Sequence, residues 1–252
     1  MTLRPVVLTV AGSDSGGGAG IQADTATFLA LGVHGTTAIT ALTAQSGSGI
    51  RGIHRVPPAF VAEQVLAVCA GYDVAAAKTG MLSDEGTVRA VAGAVRDGGI
   101  TNLVVDPVIA STSGTVLLNP AGIGALVEDL LPLALVLTPN LDEAAVLTGK
   151  PVRDLGGMRA AAETLRGWGA RWVLVKGGHL PGRAVDVLAG PGGITELEAE
   201  RVESTAVQGT GCVLSAAIAA YLGRGVPVPD AVARAKEHVT GAIRNGVLAG
   251  PG

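Results

Sequence analysis

Residues 74–106 read VAAAKTGMLSDEGTVRAVAGAVRDGGITNLVVD, and this stretch decides the fold. A short apolar run at 74–78 is followed by a segment with helical spacing at 85–97 and by another apolar run at 103–106. Short continuous apolar strands that alternate with helices are typical of a parallel sheet covered on both faces. We therefore predict a strand–helix–strand unit here, and a sheet of the α/β class around it.

The same alternation runs through the rest of the chain. Further strands are predicted at 5–11, 35–43, 135–138 and 172–176, and further helices at 19–31, 58–70, 121–131, 155–168, 211–222 and 229–244. Residues 184–188 and 194–200 flank a GPGG turn at 190–193, which predicts a small antiparallel hairpin at the sheet edge. Because no repeat or long linker divides the chain, we predict one domain over residues 1–252.

Composition excludes several classes of function. The chain has 252 residues, a net charge of −3 and 2% aromatic residues, so neither a basic surface nor stacking platforms for nucleic acid are expected. Its long uncharged stretches are interrupted by Gly, Ser, Thr or Pro, which argues against a membrane span. Two distant cysteines, without metal-ligand spacing and without a secretory signal, favour a reducing, cytoplasmic location.

Gly209-Thr-Gly-Cys212 opens an uncharged apolar run that predicts a buried helix. Free N–H groups and the positive end of the helix dipole make such a start an anion site. A thiol at that place is expected to have a lowered pKa and to act as a proton acceptor. The same residues also fit a tight turn followed by an ordinary buried cysteine, because free Cys is commonly a core residue.

Two other segments have a polar or glycine-rich pattern after a predicted strand. AGSDSGGGAGIQAD at 11–24 allows close backbone approach to a small ligand, or forms a structural turn. It lacks the spacing of a dinucleotide site and the Lys of a P-loop, so a dehydrogenase is not favoured. Gln45 offers donors and an acceptor that match the edge of an amino-heterocycle, unless it is simply solvated.

Further strand-end polar residues complete the pattern. Asp106 follows one strand, and Asn140 with Glu143 has the spacing of a helix capping box after the next. The alternative function for these three residues is to gather oxygens near Mg²⁺. Lys176, with two glycines behind it, is well placed to meet a phosphate or is an exposed strand-end lysine. Lys78 is a similar strand-end group.

Taken together and in order, the motifs resemble the hydroxymethylpyrimidine/phosphomethylpyrimidine kinases of thiamine biosynthesis, in the ribokinase-like superfamily. The matching motifs are AGSDSGGGAGIQAD (11–24), TALTAQ (40–45), AAKTGML (76–82), VVDPV (104–108), LTPNLDEA (137–144), VLVKGGH (173–179) and GTGC (209–212). The resemblance implies a ribokinase-like three-layer sandwich and a homodimer. It also implies ATP-dependent phosphorylation of 4-amino-5-hydroxymethyl-2-methylpyrimidine and then of its monophosphate.

The resemblance also implies a role for individual residues. Cys212 would be the base for the substrate hydroxyl, while Gly209, Thr210 and Gly211 would hold the transferring phosphoryl group. The pyrimidine would be bound by Gln45, in a pocket completed by Gly12, Ala19, Thr43, Met81 and Val108. Lys176 would contact the phosphates of ATP, and the set for Mg²⁺ and phosphate positioning would be Asp106, Asn140 and Glu143. Of these, Asp106 and Glu143 would serve the metal, directly or through water.

The chain departs from the family pattern in two loops. It has no Lys within 109–114 and has Gln208 where the family usually has His. Both changes remove charge near the reaction centre, and they bear more on the second phosphorylation than on the first. Two alternatives stay open: a pyridoxal-type vitamin kinase on the same fold, and a non-catalytic small-ligand sensor, which the retained GTGC and Asn140/Glu143 pair disfavour.

Overall fold

The computed structural model describes residues 3–46, 49–111, 114–178, 184–199 and 209–244. The strands in these ranges are β1 (Val6–Asp14), β2 (His34–Ser46), β3 (Gly49–Arg55), β4 (Val74–Thr79), β5 (Leu103–Val105), β6 (Val136–Leu137), β7 (Trp172–Val175), β8 (Ala184–Gly190) and β9 (Gly193–Ala199). The helices are α1 (Gly20–Ala30), α2 (Pro58–Gly71), α3 (Glu85–Asp97), α4 (Pro120–Ala125), α5 (Leu141–Thr148), α6 (Leu155–Gly167), α7 (Thr210–Gly223) and α8 (Val228–Arg244).

The strands form one sheet in the order β3-β2-β1-β4-β5-β6-β7-β8-β9. The six strands from β2 to β7 in this order are parallel, and β3, β8 and β9 are antiparallel to their neighbours. The prediction of a mostly parallel sheet with an antiparallel edge hairpin is confirmed. The opposite edge of the sheet is also antiparallel, because β3 pairs with β2 in the antiparallel sense. The strand β3 was not predicted.

Alternate strand residues send their side chains into two separate cores. Leu103 and Val105 of β5 pack with helices α2 to α6, whereas Val104 packs with α1, α7 and α8 on the other face. Successive side chains of a strand point to opposite faces, so an unbroken apolar strand requires helices on both sides. This confirms the predicted three layers.

One predicted helix is interrupted. Residues 121–131 were expected to be a single helix, but α4 ends at Ala125. It is followed by a π-helical turn, Leu126–Leu130, and then by a 3-10 helical turn, Leu131–Leu133. Pro132 lacks an N–H, and its ring conflicts with the carbonyl four residues earlier, so the preceding turn cannot continue as a regular α-helix.

The topology brings the candidate site residues to one edge of the sheet. The carboxyl ends of the parallel strands lie at this edge, and ligand sites in open α/β sheets are generally found at the carboxyl ends of the strands. No helix within the described part of the chain is long and apolar enough to cross a bilayer.

Candidate active site

Every residue that the sequence analysis selected lies at the carboxyl edge of the sheet. Thr43 and Gln45 are in the last part of β2, and Gly12 is at a register shift in β1. The others follow a strand or begin a helix: Ala19 precedes α1, Met81 follows β4, Asp106 and Val108 follow β5, Asn140 and Glu143 lie beside the start of α5, Lys176 follows β7, and Gly209 to Cys212 begin α7.

Gly209 caps the start of α7 in a conformation that favours glycine. Its φ is 75°, in the left-handed region, and a β-carbon placed on it would overlap the carbonyl oxygen of Gly18. The glycine-rich loop after β1 therefore packs directly against the start of α7. Thr210 and Gly211 follow in the first turn, at the positive end of the helix dipole.

The glycine-rich loop is shaped by one buried carboxylate, that of Asp14. Its Oδ1 accepts the N–H of Gly16 at 2.8 Å, and its Oδ2 accepts the N–H of Ala19 at 2.8 Å. Sequence reasoning missed Asp14, although a carboxylate two residues before a run of glycines is a recognisable Asx-turn signal.

Cys212 lies in the first turn of α7 and faces the start of α1. The backbone N–H of Gly20 points to its sulfur, and the charges of Lys78, Asp24 and Asp106 act on it. Burial raises the pKa of the Cys212 thiol above its ordinary value, Asp24 and Asp106 add to the rise, and Lys78 opposes it. The expectation of a lowered thiol pKa is wrong, because the loss of water outweighs the nearby N–H group and cation.

Lys78 is not an exposed strand-end group. Its side chain is fully buried, and its Nζ lies 2.9 and 2.8 Å from the two carboxylate oxygens of Asp24. Asp24 also accepts the hydroxyl hydrogen of Thr9 at 2.6 Å. This buried pair joins β4 to α1 just below Cys212. The pairing of these two residues was not predicted from the sequence.

A second charged cluster surrounds Lys176. Its Nζ lies 3.1 Å from Oδ1 of Asp106 and 4.0 Å from Oε2 of Glu143, and 3.4 Å from where a β-carbon on Gly211 would be. Lys176 is thus not an exposed strand-end lysine, because its side chain is largely buried and lies beside the start of α7. Its ammonium group thus places a positive charge beside Gly211 of the glycine cradle.

Asp106 is held by three donors. Oδ1 accepts from Lys176 and from the Thr138 hydroxyl at 3.3 Å, and Oδ2 accepts from the Ser215 hydroxyl at 3.1 Å. Burial alone would raise the pKa of Asp106, but Lys176 and Lys78 outweigh it, and the pKa lies below its usual value. Ser215, one turn after Gly211, was missed because a serine in an apolar helix gives no motif.

Asn140 and Glu143 form the predicted capping box of α5. The side chain of Asn140 accepts the N–H of Glu143 at 2.8 Å, and the side chain of Glu143 accepts the N–H of Asn140 at 2.8 Å. Burial raises the pKa of Glu143 to about 7, Asp106 adds to the rise, and Lys176 lowers it. Glu143 therefore caps the helix and also faces the charged cluster.

These acids do not form a cage for a metal. Within the described ranges, no three His, Cys, Asp or Glu side chains gather as a metal site. Mg²⁺ usually keeps several waters and binds one or two carboxylates together with phosphate oxygens. Asp106, ionised and buried, and Glu143 beside it fit that kind of partial site and not an all-protein one.

The proposed pyrimidine side of the site is built around Gln45. Its main chain exchanges hydrogen bonds with the Ser15 hydroxyl at 2.7 and 2.8 Å, and its Oε1 accepts from the Thr43 hydroxyl at 3.2 Å. Met81 lies over Gly12, with its sulfur 3.2 Å from where a β-carbon on Gly12 would be. Val108 stands on the next loop at the same edge. Gln45, Thr43 and the glycine-rich loop are thus in direct contact.

Comparison with known proteins agrees with this geometry. The family model described as phosphomethylpyrimidine kinase matches residues 14–252. A hydroxymethylpyrimidine/phosphomethylpyrimidine kinase of Rhizobium meliloti is 49% identical over 243 residues, which cover 96% of this chain and 91% of the relative.

Two solved structures are similar in both fold and sequence. Phosphomethylpyrimidine kinase from Clostridium difficile has a TM-score of 0.85 and 38% identity, covering 95% of this chain and all of the other (100%). An ADP complex of Bacillus subtilis pyridoxal kinase has a TM-score of 0.90 and 35% identity, covering 98% and 94%. The ribokinase-like architecture expected from the motifs is confirmed by these neighbours.

Proposed function

Because this chain belongs to the phosphomethylpyrimidine kinase family, we propose that it transfers the γ-phosphoryl group of ATP to 4-amino-5-hydroxymethyl-2-methylpyrimidine and then to its monophosphate, in thiamine biosynthesis. The observation that carries the proposal is the start of α7, where a glycine cradle, a thiol and Lys176 meet. A non-catalytic sensor would have no need to keep all three.

The cradle at Gly209, Thr210 and Gly211 is suited to the transferring phosphoryl group. The positive end of the helix dipole favours an anion there, and Lys176 adds a full positive charge nearby. Phosphoryl transfer depends mainly on positioning and on neutralising charge, so this arrangement supplies most of what the reaction demands.

Cys212 is the proposed base. The hydroxymethyl oxygen attacks the γ-phosphorus, the bond from that phosphorus to the β,γ-bridging oxygen breaks, ADP leaves, and the hydroxyl proton passes to the sulfur. A raised thiol pKa makes the thiolate scarcer but also a stronger proton acceptor. In a loose transition state the proton leaves late, so a strong acceptor is useful at that stage.

We propose that Asp106 and Glu143 hold Mg²⁺, at least partly through water, with Asn140 positioning Glu143 through the capping box. When bound, the ion would neutralise charge on the phosphate oxygens of ATP. Lys176 would contact the same phosphates. Its two carboxylate neighbours keep it charged and aimed at the cradle.

Gln45 is the proposed recognition group for the aminopyrimidine edge. An amide oxygen has two lone pairs, so Oε1 can accept from Thr43 and from an exocyclic amine, while the amide NH₂ donates to a ring nitrogen. Gly12, Ala19, Thr43, Met81 and Val108 would form the walls of this pocket.

A pyridoxal-type kinase is the alternative, since the Bacillus subtilis pyridoxal kinase has a similar fold and is 35% identical to this chain. The experiment that separates them measures ADP release with the aminopyrimidine alcohol, its monophosphate and pyridoxal as separate acceptors. We expect the alcohol to be the best acceptor. A higher kcat/KM with pyridoxal would contradict the proposal.

The monophosphate arm tests the second transfer. The loop 109–114 has no Lys, and Gln208 lies outside the described residues. We expect the second transfer to be the slower one, because charge that would meet the substrate phosphate is missing. We further propose that the enzyme works in the cytoplasm as a homodimer; its two described cysteines are free thiols, which suits a reducing compartment.

A further inference from the structure

Asp186 on β8 is a buried carboxylate with two separate partners. Its Oδ1 accepts the backbone N–H of Gly177 at 2.9 Å, and its Oδ2 accepts from Nζ of Lys236 on α8. Lys236 also donates to the carbonyl oxygen of Ala184 at 3.3 Å. The pair therefore connects α8, the start of β8 and the turn that follows β7.

That turn begins with Lys176 and is packed tightly against β8. A β-carbon on Gly177 would overlap the carbonyl oxygen of Val185, so only glycine fits beside the strand. On its other side, Lys176 donates its own N–H to the carbonyl oxygen of Pro139 at 2.8 Å. The backbone of Lys176 is thus held from both sides, and Asp186 supplies one of the two bonds.

We propose that Asp186 is a positioning residue for the nucleotide: through Gly177 it fixes the backbone of Lys176 at the cradle, and Lys236 fixes Asp186. The inference rests on the proposed function of Lys176 as a phosphate contact. A lysine side chain is long and flexible, so its ammonium group is placed reliably only if its backbone is fixed. Displacements of about 1 Å at a reacting group are costly to rate.

The test compares four variants by ADP binding and by steady-state kinetics. Asp186→Ala removes both contacts, and Asp186→Asn keeps an acceptor for Gly177. Lys236→Met removes the ammonium group that bonds Asp186 and Ala184. Arg159→Met is the matched control, because Arg159 of α6 pairs with Glu196 of β9 and so anchors the same edge hairpin without touching Gly177. Thermal unfolding is followed for all four.

We expect Asp186→Ala to weaken ADP binding about tenfold, because a displaced Lys176 would lose a contact with the ADP phosphates. About tenfold is the usual cost of losing one hydrogen bond to a charged group. The KM for the pyrimidine should stay within about twofold. Asp186→Asn should recover most of the affinity, Lys236→Met should lie between, and Arg159→Met should bind ADP normally. If Asp186→Ala bound ADP like the parent protein, or raised both substrate constants equally, or if the Asn variant were no better, the inference would be overturned.

The ADP titration keeps this test separate from the proposed function. If the parent protein binds ADP but transfers no phosphate to the pyrimidine alcohol, the proposed function is wrong. The comparison of ADP affinities between variants would still decide whether Asp186 positions the nucleotide.

Discussion

Cys212 is subject to opposing influences that the motif does not reveal. The Gly20 N–H group and Lys78 favour its thiolate, while burial, Asp24 and Asp106 disfavour it, and the pKa of the thiol rises overall. For a base that must take a proton late in the reaction, scarcity of the thiolate at neutral pH is offset by the strength of the acceptor.

Replacing Cys212 by Ala should leave ADP binding intact and lower kcat by about a hundredfold or more, the usual contribution of a general base. In the parent protein, kcat should rise with pH above neutrality, because the raised pKa moves formation of the thiolate to higher pH. Single-turnover rates against pH measure both effects. Cys69→Ala, on α2, is the control and should behave like the parent; near-normal turnover in Cys212→Ala would refute the assignment of the base.

Gln45 permits a second test with a single residue. Gln45→Ala should raise the KM for the pyrimidine about tenfold and leave the KM for ATP unchanged, because the proposed substrate hydrogen bonds of Gln45 are to the pyrimidine and not to ATP. Gln45→Glu keeps the size but replaces the NH₂ donor by an acceptor, so it should recover little. Initial rates at varied pyrimidine concentration measure this, and an unchanged KM would contradict the pocket.

Between elements, the pair Lys78–Asp24 joins β4 to α1 with no exposure to water. Asp24→Asn leaves a buried, unpaired ammonium group, and we expect a loss of about 3–5 kcal/mol in the free energy of unfolding. The double variant Asp24→Leu/Lys78→Met should be more stable than Asp24→Asn, since no charge is then left unpaired. Urea unfolding measures both; equal losses in the two variants would show that packing, not charge, dominates.

The junction between the glycine-rich loop and α7 gives a prediction about backbone geometry. Gly209→Ala must adopt a left-handed φ and displace Gly18, so we expect kcat/KM for ATP to fall about tenfold or more. Gly93→Ala is the control: it lies within α3 with open space at its β-carbon, and it should stabilise the protein by about 0.5–1 kcal/mol. Kinetics and thermal unfolding of both variants check this, and unchanged kinetics in Gly209→Ala would contradict the close packing.

For the whole molecule, the raised pKa of Glu143 makes stability depend on pH. Its pKa rises from 4.5 to about 7 on folding, so between these values the folded state binds more protons than the unfolded state. The contribution of Glu143 to the free energy of unfolding therefore falls as pH rises through this window and stays at its lower level above it.

Glu143→Gln keeps an acceptor for the capping box but removes the titration. Its stability relative to the parent should therefore increase from about pH 5 to about pH 8. Urea unfolding at both pH values measures the difference. A relative stability of Glu143→Gln that does not change with pH would contradict the prediction.

The sheet as a whole is where sequence patterns were most informative and also where they failed. The central strands β5, β6 and β7 were predictable because each is an unbroken apolar run that is almost fully buried. β3 was missed because Gly49–Arg55 alternates small, charged and apolar residues at an exposed edge, and is stabilised mainly by pairing with β2. From the single continuous sheet we infer that the chain is one domain.

In the candidate site too, some residues could be predicted from the sequence and others could not. The capping box of Asn140 and Glu143 is local, so a spacing of three residues was enough to predict it. Ser215 and Asp186 could not be selected from the sequence. Ser215 donates to Asp106 and Asp186 accepts from Gly177, and no sequence pattern indicates that these partners are close in space. Asp14 lay within reach of sequence reasoning, since its carboxylate accepts from the nearby N–H groups of Gly16 and Ala19.

By itself, the sequence determined the alternation of the parallel strands with helices, the glycines that allow close backbone approach, and the residue types at the ends of these strands. These depend on the preferences of neighbouring residues, which a linear pattern records. The tertiary structure alone decided that Lys78 is paired with Asp24, 54 residues away, and that the Cys212 thiol has a raised and not a lowered pKa. Burial and electrostatic interactions depend on distances in space and on the water excluded, and neither exists until the chain has folded.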